Sequence, residues 1–330
     1  MELLKKLTQA FATSGNEETL AQIIIDEIKD YVDEVYTDAL GNIVAHKKGD
    51  GKKLMLAAHL DEVGVMVTYI EKNGFLRFAP IGGVDAHTLI SRRVVFQNGT
   101  VGVINCEENI DIKKELNFNK MYIDICSNDE NDAKTKVSIG DTAVFEGTFV
   151  QNGNYVVSKA LDNRAGVYAL VNIIKQTKTP AFDTYYVFTT QEEIGLRGAK
   201  SSAFSINPDY ALAIDVTATG DTPNCPVSCV KLVGGACIKI MDKSVIASPV
   251  IRRALEHCAK QNNIAYQNEI LSFGGTDAGA IQTVCDGVVT GAISIPVRYI
   301  HTPCETACVS DINGAIDLSV KFISKDYITK

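Results

Sequence analysis

Two adjacent glutamates, Glu192 and Glu193, stand in the stretch VFTTQEEIGLRGA, directly after a β-branched and aromatic run. Like charges side by side at the end of an apolar strand repel. They read either as a solvated loop or as a site where nearby cations give each carboxylate its own task. Four further segments set acids or histidines where strands are expected to end: LAAHLDEVG with His59 and Asp61, SKALDNRAG with Asp162, LAIDVTATG with Asp215, and PVRYIHTPCETA with His301. Ligands gather at the carboxyl ends of strands in open α/β sheets, so this shared placement is informative. His59 and Asp61 lie two apart, on the same side of an extended chain, where a carboxylate can orient an imidazole. Asp215 follows a run that is apolar back to Tyr210, and an unpaired buried charge is very costly. Taken alone, Asp162 reads as a helix N-cap and His301 as a core histidine. Together the segments offer two histidines and at least three carboxylates. One histidine and two carboxylates per metal, with one carboxylate shared, suits a pair of divalent ions. Imidazole and carboxylate without thiolate point to zinc, cobalt or manganese.

Two textures of chain must position these groups. TSGNEETLAQIIIDEIKDYV reads as an amphipathic helix with Ser14 and Glu17 as a capping box and Leu20, Ile24, Ile28 and Tyr31 near one face. VYTDALGNIVAHKKG and KKLMLAAHLDEVG read as strands. From about Val65 to Val156 short apolar runs alternate with turn signals at Lys72-Asn73-Gly74, Gly82-Gly83, Asn98-Gly99, Gly140-Asp141 and Asn152-Gly153. Successive hairpins at this spacing predict a small β-barrel or sandwich. The charged SNDENDAK reads as a solvated loop. After Lys159, helices (NRAGVYALVNIIKQT, SPVIRRALEHCAKQN, GGTDAGAIQTVC, SDINGAIDLSVKFISKDYI) alternate with strands (TYYVFTTQ, DYALAIDVT, DGVVTGAISIPV). The expected fold is α/β, a mixed sheet covered by helices, in a domain of residues 1–66 and 157–330 interrupted by an inserted all-β barrel at 67–156.

Composition excludes several functions. The chain has 330 residues and a net charge of −8, with no run of Lys and Arg, so no nucleic acid partner is expected. No stretch approaches the roughly 18 apolar residues of a membrane span, and MELLKKLTQAF lacks the apolar block of a secretion signal. Nine cysteines in apolar contexts suit reduced, buried thiols in a cytoplasmic protein. The pairs Cys225/Cys229 and Cys304/Cys308 have CxxxC spacing, unlike the CxxC of zinc ribbons. His46 reads as a surface residue, His87 as structural, and His257 as a helix residue without function. Gly274-Gly275-Thr276-Asp277 reads as a turn with an N-cap or as an anion cradle at a helix start.

The motifs AAHLDEVG, KALDNRAG, TTQEEIGLRGA, AIDVT and RYIHT occur in an order and spacing that resembles the TET-type aminopeptidases, within the glutamyl/leucyl aminopeptidase family of dinuclear-metal exopeptidases. The similarity extends through the β insertion (GFLRFAPIGGVDAHTL, MYIDI, IGDTAVF) and GGTDAGAIQ. The resemblance implies a zinc-exopeptidase-like fold and two divalent ions per subunit. Asp162 would bridge them, His59 and Asp215 would complete one site, and Glu193 and His301 the other. Asp61 would orient His59 and Glu192 would be the general base. It also implies a tetrahedral homododecamer, with the insertion helping subunits pair, acting on short peptides.

The expected reaction is therefore metal-dependent removal of N-terminal residues. Metal coordination can lower a water pKa from 15.7 to about 7, and Glu192 would take the proton and later return it to the leaving amine. A dinuclear carboxypeptidase or deacylase would use a similar ligand set. A glycosidase, a label some relatives have carried, needs two carboxylates and no metal, leaving His59 and His301 unexplained. A non-catalytic binding protein on the same scaffold is the third class.

Overall fold

A computed structural model describes residues 1–225 and 228–328. At its centre run four parallel strands, Asp183–Thr189, Lys53–His59, Tyr210–Ala218 and Val289–Arg298, in that order across the sheet. Both faces of these strands are covered, which is why they read as continuous apolar runs such as LMLAA and YALAI. Successive side chains feed opposite layers. Leu56 joins the large core with Leu170, Ile214, Ile293 and Phe322, while Met55 and Ala57 join a second core with Val187, Ala203 and Ile281. The helices Leu161–Gln176, Pro249–Gln261 and Val309–Ile323 pack on the first side, and Arg197–Ile206 with Asp277–Ile281 on the other. Antiparallel strands widen the sheet at both edges, Glu34–Thr37 and Ile43–Lys47 on one and Glu305–Cys308, Tyr155–Ser158 and Val150–Asn152 on the other.

Between the strands ending at His59 and beginning at Tyr155, six antiparallel strands close a separate barrel: Gly64–Ile70, Leu76–Ile81, Arg93–Phe96, Val101–Cys106, Met121–Asp124 and Thr142–Phe145. Its interior is filled by alternate residues including Val65, Val67, Leu76, Phe78, Ile104 and Ile123. The α/β fold with an inserted barrel thus matches the sequence reading.

Several local expectations are corrected. The hairpin Val150–Ser158, expected in the insertion, pairs instead with Glu305–Cys308 of the large sheet. SNDENDAK is not a loop throughout: Glu130–Lys136 is a helix, started by the Asp129 carboxylate accepting from the Asp132 amide at 2.9 Å. Only Ala133 is buried along it, too little apolar surface to show a helical period. Ser14 and Glu17 form no capping box, because tertiary partners take both side chains. His46 is buried rather than exposed, bonded to Asp183 at 2.7 Å and stacked on Tyr185. All nine cysteines are free thiols, but only Cys106, Cys237, Cys258 and Cys308 are buried. His87 is exposed beside Asp85, and His257 packs edge-on against Tyr327. Among the described residues no helix is long and apolar enough to cross a membrane.

Candidate active site

All the candidate side chains but Asp162 sit near or just past the carboxyl end of a central strand. His59 ends its strand, Asp215 lies near the end of Tyr210–Ala218, Glu192 and Glu193 follow Thr189, and His301 follows Arg298. Asp162 comes from the start of the helix packed beneath them. The parallel register brings these ends together although the residues are up to 242 positions apart (301 − 59). Two groups of potential ligand atoms result, His59 with Asp162 and Asp215, and Asp162 with Glu193 and His301, each within 4.8 Å of one another. Asp162 serves both: Oδ1 is 3.1 Å from His59 Nε2 and Oδ2 is 3.3 Å from His301 Nε2. Asp215 Oδ1 lies 3.7 Å from His59 Nε2, and Glu193 Oε2 lies 3.3 Å from His301 Nε2.

The surrounding hydrogen bonds fix these groups. Asp162 is not the helix cap. Asn163 Oδ1 accepts from the Gly166 amide at 3.1 Å, freeing the Asp162 carboxylate for the histidines. His59 Nδ1 contacts the Asp61 carbonyl at 3.0 Å, whereas the Asp61 carboxylate is 3.6 Å away. That carboxylate chiefly holds the turn of the paired glutamates, accepting from the Glu192 amide at 2.9 Å, the Glu193 amide at 3.2 Å and the Ser14 hydroxyl at 2.5 Å. Glu17 adds a fourth tie, accepting from the Gln191 amide at 3.1 Å. Arg164, wholly buried, keeps this N-terminal segment in place by donating to the carbonyls of Leu7, Ala10, Ala12 and Leu60 and pairing with Glu62 at 3.2 Å.

His301 is held from the barrel side. Its Nδ1 is 2.8 Å from the Gly83 carbonyl. A Cβ on Gly83 would stand 3.1 Å from that nitrogen, and one on Gly82, whose φ is +81°, would meet Glu193 Oε2 at 3.0 Å. The Gly82-Gly83 pair, read from sequence as a hairpin turn, is the place where the barrel approaches the site.

Electrostatics favour bound cations. A carbonyl only accepts, so each Nδ1 carries a proton and each Nε2 turns toward carboxylate oxygens. A neutral imidazole would then oppose lone pair to lone pair, and a positive charge must lie between them. Burial alone would lower both imidazoles. With only the protein's charges, Glu193 and Asp162 instead push His301 up to about 12, and Glu192 and Asp162 raise His59 well above its ordinary value. Burial raises Glu192, Glu193 and Asp215 above the ordinary carboxyl range, and their neighbouring acids add to it. Glu193 Oε1 is buried with no hydrogen-bond partner, an orphan acceptor that a cation would satisfy. This donor set of imidazoles and carboxylates fits divalent ions.

Sequence reasoning missed Glu305. Its two oxygens accept from the amides of Asp162 at 2.8 Å and His301 at 2.7 Å, locking one carboxylate to both segments. Its place in a short polar strand, ETAC, offers no signal. Asp277 is also buried, raised by burial to about 6 while its Oδ2 accepts from Thr189 at 2.5 Å; neither it nor Thr276 caps the short helix by a side-chain bond. A cavity of about 520 Å³ opens over the site, lined by His59, Glu192, Glu193, Asp215 and His301 and also by Thr217, Lys239, Leu271 and Phe273.

Comparison with known proteins agrees with this geometry. The family model described as M42 glutamyl aminopeptidase matches residues 41–318. A protein of Acetivibrio thermocellus named "Putative aminopeptidase" is 53% identical over 98% of each chain. An aminopeptidase of the archaeon Desulfurococcus kamchatkensis superposes with a TM-score of 0.94 at 38% identity, covering 99% of this chain and 96% of that one. The TET1 peptidase of Pyrococcus horikoshii, described as assembling into a tetrahedron or a large octahedral shell, gives a TM-score of 0.88 at 35% identity over 98% and 99% of the two chains. These likenesses favour neither the glycosidase nor the carboxypeptidase reading. With this fold and these relatives, the chain belongs to the M42 glutamyl aminopeptidase family and is a metal-dependent aminopeptidase.

Proposed function

We propose that the enzyme holds two divalent ions per subunit and uses Glu192 as its general base to release N-terminal residues from short peptides. The observation that carries this reading is Asp162, whose two oxygens address two separate histidine groups. His59 and Asp215 would complete one ion's set, and Glu193 and His301 the other's. Zinc or cobalt suits these donors, and manganese is compatible. The ions would supply Lewis acidity, lowering the pKa of a water and polarising the scissile carbonyl.

The chain's own groups do the rest. Glu192 faces the same cavity but belongs to neither ligand group, leaving its carboxylate free to accept the proton of the attacking water. As glutamic acid it then protonates the departing amine. Asp61 acts as a positioning residue: by binding the amides of Glu192 and Glu193 it sets how far each carboxylate reaches. Glu305 plays the same part for Asp162 and His301.

A shell-like homo-oligomer, the tetrahedral dodecamer suggested by the TET peptidases, would restrict access to short unfolded peptides. In that assembly the large sheet and its helices, with the hairpin Val150–Ser158, form the catalytic domain, and the barrel running from Gly64 to Phe145 helps subunits pair. Nine free thiols suit work in the cytoplasm.

The deciding experiment compares two isosteric changes in metal-loaded protein. Glu192→Gln should retain full metal content and lose about 10²- to 10⁴-fold in kcat. Glu193→Gln should lose metal. Parent-like turnover in Glu192→Gln would remove it from the base role.

A further inference from the structure

Glu192 is held in place by its backbone alone. Its carboxylate makes no hydrogen bond or ion pair among the described residues and belongs to neither ligand group. Glu193, by contrast, has His301 at 3.3 Å and would be fixed further by the ion it binds. The turn that carries both glutamates begins at Gln191, whose φ of +56° is a left-handed conformation seldom adopted by a residue with a side chain. Whatever keeps that turn in shape decides where Glu192 points. Much of its support comes from residues 13–17. The Ser14 hydroxyl donates at 2.5 Å to Asp61 Oδ2, the oxygen that also accepts from the Glu193 amide. One oxygen of Glu17, Oε1, accepts from the Gly15 amide at 2.9 Å and from the Gln191 amide at 3.1 Å. The same short segment grips the barrel with its other side chains. Thr13 donates to the hydroxyl of Thr142, the first residue of the barrel strand Thr142–Phe145, at 2.8 Å, and Asn16 reaches both hydroxyls at 3.4 Å. Thr13 also forms a parallel bridge with Glu62, in the crossing of residues 60–63 that leads from His59 to the barrel and carries Asp61. A Cβ on Gly64, where the barrel begins, would stand 2.8 Å from Thr13 Cγ2.

We propose that residues 13–17 are a clasp through which the inserted barrel positions Glu192. Ser14 and Glu17 are positioning residues for the base, and the Thr13–Thr142 bond joins them to the barrel. The inference rests on the reading of Glu192 as general base. Cutting the clasp does not unseat a ligand, because Glu193 keeps His301 and its ion while Glu192 has only the turn to hold it. A base acts only within hydrogen-bond reach of the proton it takes, so a small displacement of that turn costs turnover. The far end of the segment is fixed by Arg164, which donates to the carbonyls of Leu7, Ala10 and Ala12, so a shift of Thr142 is passed to the turn and not lost along the N-terminal chain. On the Asn16 side the joint borders a cleft of about 310 Å³ lined by Asn16, Asn98, Asp141 and Thr142, where hydrogen bonds and not packed side chains hold barrel and clasp together.

The test uses the metal-loaded, full-length enzyme and reads both turnover and hydrogen–deuterium exchange of the peptide spanning residues 191–193. Glu17→Ala should lower kcat by about 10-fold with KM and metal content unchanged, and speed that exchange by about 10-fold. Glu17→Gln, whose carbonyl oxygen can accept from the same two amides, should bring both readouts back to within about 2-fold of the parent. Thr142→Val, on the barrel, should lower kcat by about 3-fold and speed exchange in the same peptide, and should add nothing once Ser14→Ala and Glu17→Ala together have cut the clasp. Should Glu17→Ala fail to fold, Ser14→Ala takes its place, with Ser14→Thr as the conservative partner. Parent-like kcat and exchange in Glu17→Ala overturn the inference, as do metal loss in step with kcat, an equally impaired Glu17→Gln, or a full effect of Thr142→Val in the clasp-cut protein. Parent-like turnover in Glu192→Gln would count against the base reading instead, and exchange at residues 191–193 would still decide whether clasp and barrel hold the turn.

Discussion

The two halves of the centre share Asp162 but are made of different material. On one side His59 and Asp215 belong to central parallel strands, with side chains 2% and 6% exposed. On the other, Glu193 and His301 sit on connections beyond the strand ends. His301 is 30% exposed and has a φ of +63°, and its Nδ1 rests on a carbonyl of the inserted barrel. The first half is set by sheet register, which cannot shift without breaking a row of backbone bonds. The second is set by turns and by a neighbouring domain, so it is the half through which the barrel can influence chemistry.

The two halves depend on each other most strongly at the shared residue. Asp162→Ala should empty both halves and lower turnover by about 10³-fold or more, measured by metal stoichiometry and kcat; retention of one ion per subunit would show that the halves do not depend on a common carboxylate. A smaller effect is kinetic. On exposure to a chelator, metal should leave in two phases, the faster from the more exposed His301 half, and His301→Ala should abolish the fast phase alone. A single phase in the parent protein would contradict the difference in burial. Smallest is Gly83→Ala, which crowds the His301 ring without touching a ligand. It should weaken the faster-exchanging ion by about 10-fold while leaving the slower one unchanged, read by competition with a metal indicator.

Much of this was legible along the chain because strands announce their ends. A continuous apolar run followed by an acid or histidine identifies a central parallel strand and the residue it delivers, as in LAAHLD, VFTTQEE and LAIDV. The barrel was legible from its spaced turn signals. Glu305 was not, because its segment carries no pattern separating a buried paired charge from a solvated one. Ser14 and Glu17 were misread for a related reason. A capping box and a tertiary clasp use the same residue types, and only the partner reveals which has formed.

The sequence by itself determined the alternation of strands and helices, the inserted barrel, and the residue types able to hold cations, since these follow from local periodicity and side-chain chemistry. The tertiary structure alone decided that Asp162 faces two histidines, that Asp61 holds the turn of the paired glutamates more closely than it holds His59, and that Ser14 and Glu17 grip that turn from the N-terminal segment. Each of these depends on distances between segments far apart in the chain. Only packing and sheet register set such distances.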